Sequence, residues 1–370
     1  MALTTDGGVP KLEELFPKEL KWLYVAEGAA NVVYEVWQVV LPHRCSNGEM
    51  FPAGVKTGSF LRLRKDLPTT IPCIISQRNF DRVFRPLFKP EHLVDQQLIN
   101  IKSSRVVERL NADLRKWEHG EKLEGQLKSG LPNVRPAKRK GIYLADDDHG
   151  LLVTDMSSRG KSVLVIEFKP KWLLQSPSAP KGAVRCRTCA RNALHDVKEK
   201  SKGRPTNPSE TQIFCPLDLT SVDLKVLYNV ACQILPANAK LETALRLARW
   251  LRDCDLIRDL RAAQKHADIK GVLEGTANNE DLLVAMTLRD CSLYLHLPTE
   301  SSLPIEARLG DLDLKSRDKA DKWKEAERCL IEDGWYQGTE KVVTALPNQC
   351  ALNKSRSLPY TVDEKQFKRI

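Results

Sequence analysis

Hydrophobic and polar positions recur along this chain with two periods, about two and about 3.6 residues, and the change from one to the other marks its elements. Residues 21–26 and 32–40 alternate as strands do, and the stretch between them, EGAAN, is small and free of bulky side chains. Two strands joined by such a loop form a flap whose backbone N–H groups can approach a phosphate, although an ordinary hairpin turn has the same composition. Residues 59–65, SFLRLRK, predict a third strand with Arg62 on an otherwise apolar segment. Residues 103–117 predict a helix: Val106, Val107, Leu110, Leu114 and Trp117 form one apolar stripe, and Ser103 or Ser104 can cap it. The segment 119–140 is polar and irregular, after which GIYLA and LLVTD predict strands separated by the turn DDDHG.

The stretch VIEFKPKW, residues 165–172, ends an apolar run with charges at alternate positions. As a strand it places Glu167, Lys169 and Lys171 on one face, while Pro170 excludes an ordinary central strand. A short loop containing Ser157, Ser158 and Gly160 precedes it. From about residue 186 the pattern turns helical, with apolar stripes over 221–235 (Val222, Leu224, Leu227, Val230, Ile234) and 241–262 (Leu245, Ala248, Leu251, Leu256, Leu260). The segment 199–210, EKSKGRPTNPSE, has the composition of a linker. Strands return at 282–287 and 292–297, with Arg289, Asp290 and Cys291 at their junction. IEARLGDLDL predicts one more strand, leading to a final helix near 317–333. A sheet-rich part and a mostly helical part thus meet near residue 157.

Composition narrows the function. The chain of 370 residues is long enough for two lobes, and 42% hydrophobic with 29% charged residues describes a water-soluble fold. No apolar run reaches the roughly 18 residues of a membrane span. The N-terminal residues lack the basic start and apolar core of a signal peptide, so an intracellular protein is expected, and most of the ten cysteines should be free. A net charge of +10 calls for an anionic partner, either nucleic acid or a small, densely phosphorylated ligand.

A flap, then a basic residue on a following strand, then two late aspartates (Asp290 and Asp311) at strand ends is the order of parts in a phosphotransferase. No HRD, DFG or VAIK occurs, which argues against a protein acceptor. Cys186 and Cys189 form a CxxC with His195 downstream. Four zinc ligands at standard spacing are not visible, so these read as ordinary helical cysteines rather than a zinc site.

EGAAN, EFKPKW, CRTC, CPLDL, RDCS and DLDLK, in that order between about residues 24 and 335, resemble the signature segments of inositol-pentakisphosphate 2-kinases. That family reads them approximately as EGGAN, EIKPKxG, SRFxMHQ, CPLDLFS, KDCS and DLDLK. The resemblance implies an α+β fold of two lobes, distantly protein-kinase-like. Residues 1–157 would form a sheet-rich N-lobe carrying the phosphate flap and the nucleotide side. Residues 158–370 would form a larger, mostly helical C-lobe whose short strands carry the catalytic aspartates. It implies transfer of the ATP γ-phosphate, with Mg²⁺, to the axial 2-hydroxyl of inositol 1,3,4,5,6-pentakisphosphate, giving phytate.

Carried over residue by residue, Gly28, Ala29, Ala30 and Asn31 form the flap and Arg62 reaches the nucleotide phosphates. Thr154, Asp155 and Met156 match the adenine hinge, and Glu167 and Lys240 belong to the nucleotide side. Asp290 matches the acceptor of the 2-hydroxyl proton, Lys169 lies on the catalytic side, and Asp311, assisted by Asp313, matches the Mg²⁺ ligand. Lys171, Lys315, Asn238 and Arg139 match substrate residues, with Arg135 a competitor for the last role, and His195 and Lys198 fall where the family has a substrate lysine. Lys319 stands for a family arginine and Trp323 for a tyrosine, and a point charge replaces a bidentate fork at the first. Some members of the family carry a structural zinc in an insertion that the chain between Lys240 and Asp290 is too short to hold, which again argues against zinc. A monomer in the nucleus or cytoplasm, with no membrane partner, is expected. A basic nucleic-acid-binding protein would share the charge and the clusters RPAKRK and KEKSKGR, but carboxylates set beside lysines at strand ends would repel DNA. A non-catalytic inositol phosphate binder would not need Asp290, Asp311 and Lys169 together.

Overall fold

A computed structural model describes residues 8–39, 54–121, 132–157, 162–203, 214–275, 279–340, 348–363 and 366. The fold is α+β, and the chain divides into two compact units. One runs to Arg82 and takes in Val94–Met156; the other takes in Val83–Leu93 and the chain from Ser157 onward. Among the described residues no helix is long and apolar enough to cross a membrane.

The first unit contains α1 (Leu12–Leu15), β1 (Leu20–Glu27), β2 (Asn31–Val39), β3 (Gly54–Arg64), α2 (Cys73–Asn79), β4 (Gln96–Asn100), α3 (Val106–Glu118) and β5 (His149–Thr154). Its strands form one antiparallel sheet in the order β1-β2-β3-β5-β4. Val32, Tyr34 and Val36 alternate inward on β2, and they share a core with Leu61, Leu63 and the α3 stripe Val106, Leu110, Leu114 and Trp117. Each such side chain contributes about 1.5–3 kcal/mol on burial. The predicted stripe is therefore the face that α3 buries. Its N-cap falls on Arg105, in the left-handed region at φ 52°, and Ser104 one residue earlier accepts the Val106 N–H at 3.4 Å. GIYLA is not a strand; it makes one bridge, Lys65 with Leu144. The Asn111 amide takes both backbone groups of Leu144 (2.8 and 3.0 Å), so a side chain replaces the ladder.

The second unit contains β6 (Val163–Phe168), α4 (Arg187–Ser201), α5 (Leu224–Ile234), α6 (Leu241–Asp253), α7 (Asp255–Ala267), α8 (Glu280–Leu288), β7 (Ser292–Pro298), β8 (Glu306–Gly310) and α9 (Ala320–Glu332). The antiparallel sheet β6-β7-β8 is its centre. Three expectations are corrected here. Residues 282–287 belong to helix α8, not a strand: Leu282 to Leu288 are buried all round, so the run carries no stripe to reveal its period. Asn279, whose side chain accepts the Asp281 N–H, and the acids Glu280 and Asp281 are the helix-start signals that were legible there. The helix predicted over 241–262 breaks at Cys254, where ψ is 109°, into α6 and α7. Strand β6 stops at Phe168, so Lys169 and Lys171 do not extend it, and Lys171 adopts a left-handed φ of 57°. Ser158, Gly160 and most of the predicted 199–210 linker lie outside the described residues.

Candidate active site

The loop Gly28–Ala30 joins β1 to β2, and its root is held from below. Gly28 N–H donates to Asn31 O (2.9 Å), and Lys65 N–H donates to Ala30 O (2.8 Å). The Lys65 ammonium is buried, donating to Gly28 O at 2.9 Å and pairing with Glu27 at 2.8 Å. Glu27 also accepts both Arg135 Nε and Nη2 (3.1 and 2.9 Å), and Arg135 reaches Glu118 at 2.5 Å. Burial alone would raise the Glu27 carboxyl; Arg135 and Lys65 outweigh it and hold the group below its usual range. Arg135 is consumed in a buried network, whereas Arg139 keeps a quarter of its side chain exposed and approaches Glu27 only at 3.6 Å. Arg62 sits on β3, paired in register with Val33 and Leu151. Thr154 closes β5, Asp155 N–H donates to Gly58 O (2.9 Å), and Met156 is buried.

In the second unit the turn after α8 presents Asp290 to three lysines. Lys315 Nζ lies 2.5 Å from Asp290 Oδ2, Lys171 Nζ lies 3.1 Å from Oδ1, and Lys169 Nζ donates to the Asp290 carbonyl at 2.6 Å. Asp290 precedes β7 and follows a helix; it does not sit between two strands. Its partial burial raises its pKa, but Lys315, then Lys171 and Lys169, overcome this and hold it far below the usual carboxylate range. Burial lowers the pKa of Lys171 despite Asp290 beside it. Asp311 follows β8 with a left-handed φ of 56°, 3.6 Å from Lys169. The Ser292 hydroxyl lies 2.9 Å from both Glu167 and Asp311. It has one proton for two carboxylates, so one of them is left to another partner.

A cavity of about 470 Å³ opens at this cluster, lined by Lys171, Arg187, Arg191, Arg289, Lys315 and Lys319 against the single carboxylate of Asp290. Its inner wall stacks two guanidinium groups on the Trp172 ring, Arg289 at 3.5 Å and Arg187 at 4.3 Å from the centroid. Glu327 and Asp268 hold these arginines from behind, each at 2.6 Å. Arg187 Nη2, Thr188 Oγ1 and Arg289 Nε are buried and find no hydrogen-bond partner among the described residues. Buried donors without partners are costly, and three of them along one basic wall fit an anion.

Of the predicted substrate residues, Lys171, His195, Lys315, Lys319 and Trp323 line this cavity. Lys198 lines a neighbouring groove of about 740 Å³ between α4 and α9. Asn238 and Lys240 lie in the turn before α6, both exposed, and are not in the lining of either. The Asp313 carbonyl lies 3.4 Å from the Thr287 hydroxyl. The sequence reading missed Arg187, Thr188, Arg191, Arg289 and Trp172. A signal existed: Arg187, Arg191 and His195 recur every four residues and so share one face of α4.

The reading of CRTC as a pair without partners is corrected. Cys186 and Cys189 open α4, and the sulfurs of Cys215 and Cys350 join theirs, all four within 4.8 Å of one another. Cys186 and Cys350 each stand 3.7 Å from Cys215. That is the edge of a tetrahedron with metal–sulfur bonds of about 2.3 Å, which is about 3.8 Å. Backbone N–H groups point at two of the sulfurs, Cys186 N at Cys350 Sγ (3.0 Å) and Cys189 N at Cys186 Sγ (3.5 Å), an arrangement that suits thiolate ligands.

The family model described as inositol-pentakisphosphate 2-kinase matches residues 24–329. An inositol-pentakisphosphate 2-kinase of Yarrowia lipolytica is 36% identical over 177 residues, a stretch covering 46% of this chain and 53% of that protein. The chain thus matches about half the length of this relative. The family match takes in the flap, the lysine–aspartate cluster and all but one of the four clustered cysteines, and on it the chain belongs to the inositol-pentakisphosphate 2-kinase family.

Proposed function

We propose that the protein transfers the γ-phosphoryl group of ATP to the axial 2-hydroxyl of inositol 1,3,4,5,6-pentakisphosphate. The observation that carries this reading is one carboxylate, Asp290, set among six cationic side chains on the wall of a single cavity. A polyanion neutralises the cations, and the lone carboxylate is left for the one hydroxyl that bears no phosphate. As substrate phosphates draw Lys171 and Lys315 away from Asp290, the carboxylate recovers basicity and can orient the hydroxyl and take its proton. Lys169, between Asp290 and Asp311, is placed to follow charge moving onto the transferred group.

The kinase reading assigns the first unit, with Gly28–Asn31, Arg62 and Thr154–Met156, to the nucleotide side of a two-lobed, kinase-like enzyme. Asp311, Glu167 and Asp313 offer the hard oxygen donors that Mg²⁺ takes, and the divided attention of Ser292 leaves one carboxylate for the cation. When bound, Mg²⁺ neutralises ATP phosphate charge. The four-cysteine cluster fits a structural zinc, since four sulfurs leave no open position for catalysis. We read the protein as intracellular, which free cysteines among the described residues support, and as a monomer without a nucleic-acid partner.

The test is turnover. Incubated with Mg²⁺-ATP and a panel of inositol phosphates, the protein should consume the pentakisphosphate whose 2-hydroxyl is free, with ion-exchange chromatography resolving the hexakisphosphate formed. Absence of transfer to every member of the panel refutes the reading.

A further inference from the structure

We infer that Gln264, on α7 and outside the cavity lining, is a positioning residue for phosphoryl transfer, its one carboxamide holding the Lys171 loop and the Asp290 turn in register. This rests on the kinase reading above. Gln264 is 1% exposed. Its Oε1 accepts the Leu173 N–H at 3.0 Å, and its Nε2 donates to Lys171 O at 2.8 Å and to Leu288 O at 3.1 Å. All three bonds go to backbone groups of the segments that carry the ion pair.

Lys171 needs such a hold. Its φ of 57° lies in the left-handed region, which a residue with a side chain keeps only when its surroundings fix it. The bond to Lys171 O and the bond to Leu173 N–H bracket that residue. On the other side, Leu288 ends α8, where carbonyls lack helical partners, and Asp290 follows two residues later. One amide therefore sets both ends of the Lys171–Asp290 contact at 3.1 Å. The chemistry is specific to glutamine. The site uses one acceptor and two donors at this reach; glutamate keeps the acceptor and loses the donors, and leucine keeps the bulk and loses both.

The experiment measures kcat, KM and melting temperature for the full chain with Mg²⁺-ATP and inositol pentakisphosphate. The variants are Gln264→Leu, Gln264→Glu and, as a control on the same helix, Leu260→Ala, whose side chain is fully buried in the core. Both Gln264 variants should lose about 10–100-fold in kcat, the usual effect of a misplacement near 1 Å, with KM for ATP within about twofold. The acid limb of kcat/KM should move to higher pH, because Asp290 of the free enzyme loses the Lys171 charge. Leu260→Ala should lower the melting temperature comparably and keep kcat within about twofold. In a Lys171→Met background, Gln264→Leu should cost less than it does in the wild type, since two residues acting partly as a unit are not additive. Should Gln264→Leu fail to fold, Gln264→Glu, which retains the Leu173 bond, carries the test. Unchanged kcat in the Gln264 variants, an equal kcat loss in Leu260→Ala, or full additivity with Lys171→Met overturns the assignment while leaving the kinase reading intact. A wild-type protein inert toward every inositol phosphate overturns the kinase reading and this role with it.

Discussion

Lys169 lies 3.9 Å from Asp290 and 3.6 Å from Asp311, and the two carboxylates otherwise keep different partners. Asp290 is surrounded by Lys315 and Lys171, whereas Asp311 shares Ser292 with Glu167. Asp290→Asn is expected to keep Mg²⁺-dependent ATP binding and to lose about 10²–10⁴ in kcat, the share of a positioned general base. Asp311→Asn should lose turnover and also the Mg²⁺-dependent part of ATP binding. Calorimetry with and without Mg²⁺ separates the two, and the opposite pattern would reverse the assignments. Lys171→Ala and Lys315→Ala should each raise KM for the inositol phosphate roughly ten- to a hundredfold, as expected for a charge-assisted contact worth ~1.5–3 kcal/mol, with KM for ATP little changed. The pH dependence has a definite sign. Lys315 holds Asp290 ionised below the usual carboxylate range, so Lys315→Ala raises its pKa and moves the acid limb of kcat/KM to higher pH. An acid limb that stays in place, measured over matched buffers, removes Lys315 from this role. These residues were legible because short motifs carry them. Arg187 and Arg289 were not, because where an arginine ends depends on the rotation of its helix and on the Trp172 ring it stacks against.

At the level of elements, α4 shows both what a sequence conceals and why. Its first turn is fastened by Cys186 and Cys189, and the partners Cys215 and Cys350 lie 29 and 164 residues from Cys186 in the chain. No local spacing announces a ligand set drawn from three separate segments. The same C-terminal stretch is tied down again by Arg356, whose guanidinium donates twice to Asp218 (2.7 and 2.8 Å). Metal analysis of protein purified without chelator should give about one zinc per chain. Cys215→Ser should lose the metal, lower the melting temperature and raise KM for the inositol phosphate, because α4 carries Arg187 and Arg191 into the cavity wall. Zinc well below one per chain, with Cys215→Ser indistinguishable from wild type, contradicts the metal site. Helix α8 failed for a different reason: a segment buried on every side shows no period, and only its cap and first-turn acids told it from a strand. The α3 stripe and the β1–β2 hairpin were legible because each buries one face only.

Over the whole molecule, a net charge of +10 is put to use where the cations converge. Such a wall suits the polyphosphate substrate proposed above, and added salt should weaken its binding more than that of ATP. Charge alone left nucleic acid as a rival, since composition does not say where the lysines go. The cavity sets six cations against one carboxylate, a pattern that supports the proposed compact polyanion with a single free hydroxyl. The account stands or falls on where the phosphate goes. Nuclear magnetic resonance of the product made from inositol 1,3,4,5,6-pentakisphosphate and Mg²⁺-ATP reads this directly. The account predicts a new phosphate on the axial 2-oxygen, giving the symmetric hexakisphosphate, and its formation slowed by about 10²–10⁴ in Asp290→Asn. A product phosphorylated on an existing phosphate, or a rate unchanged in Asp290→Asn, would contradict it.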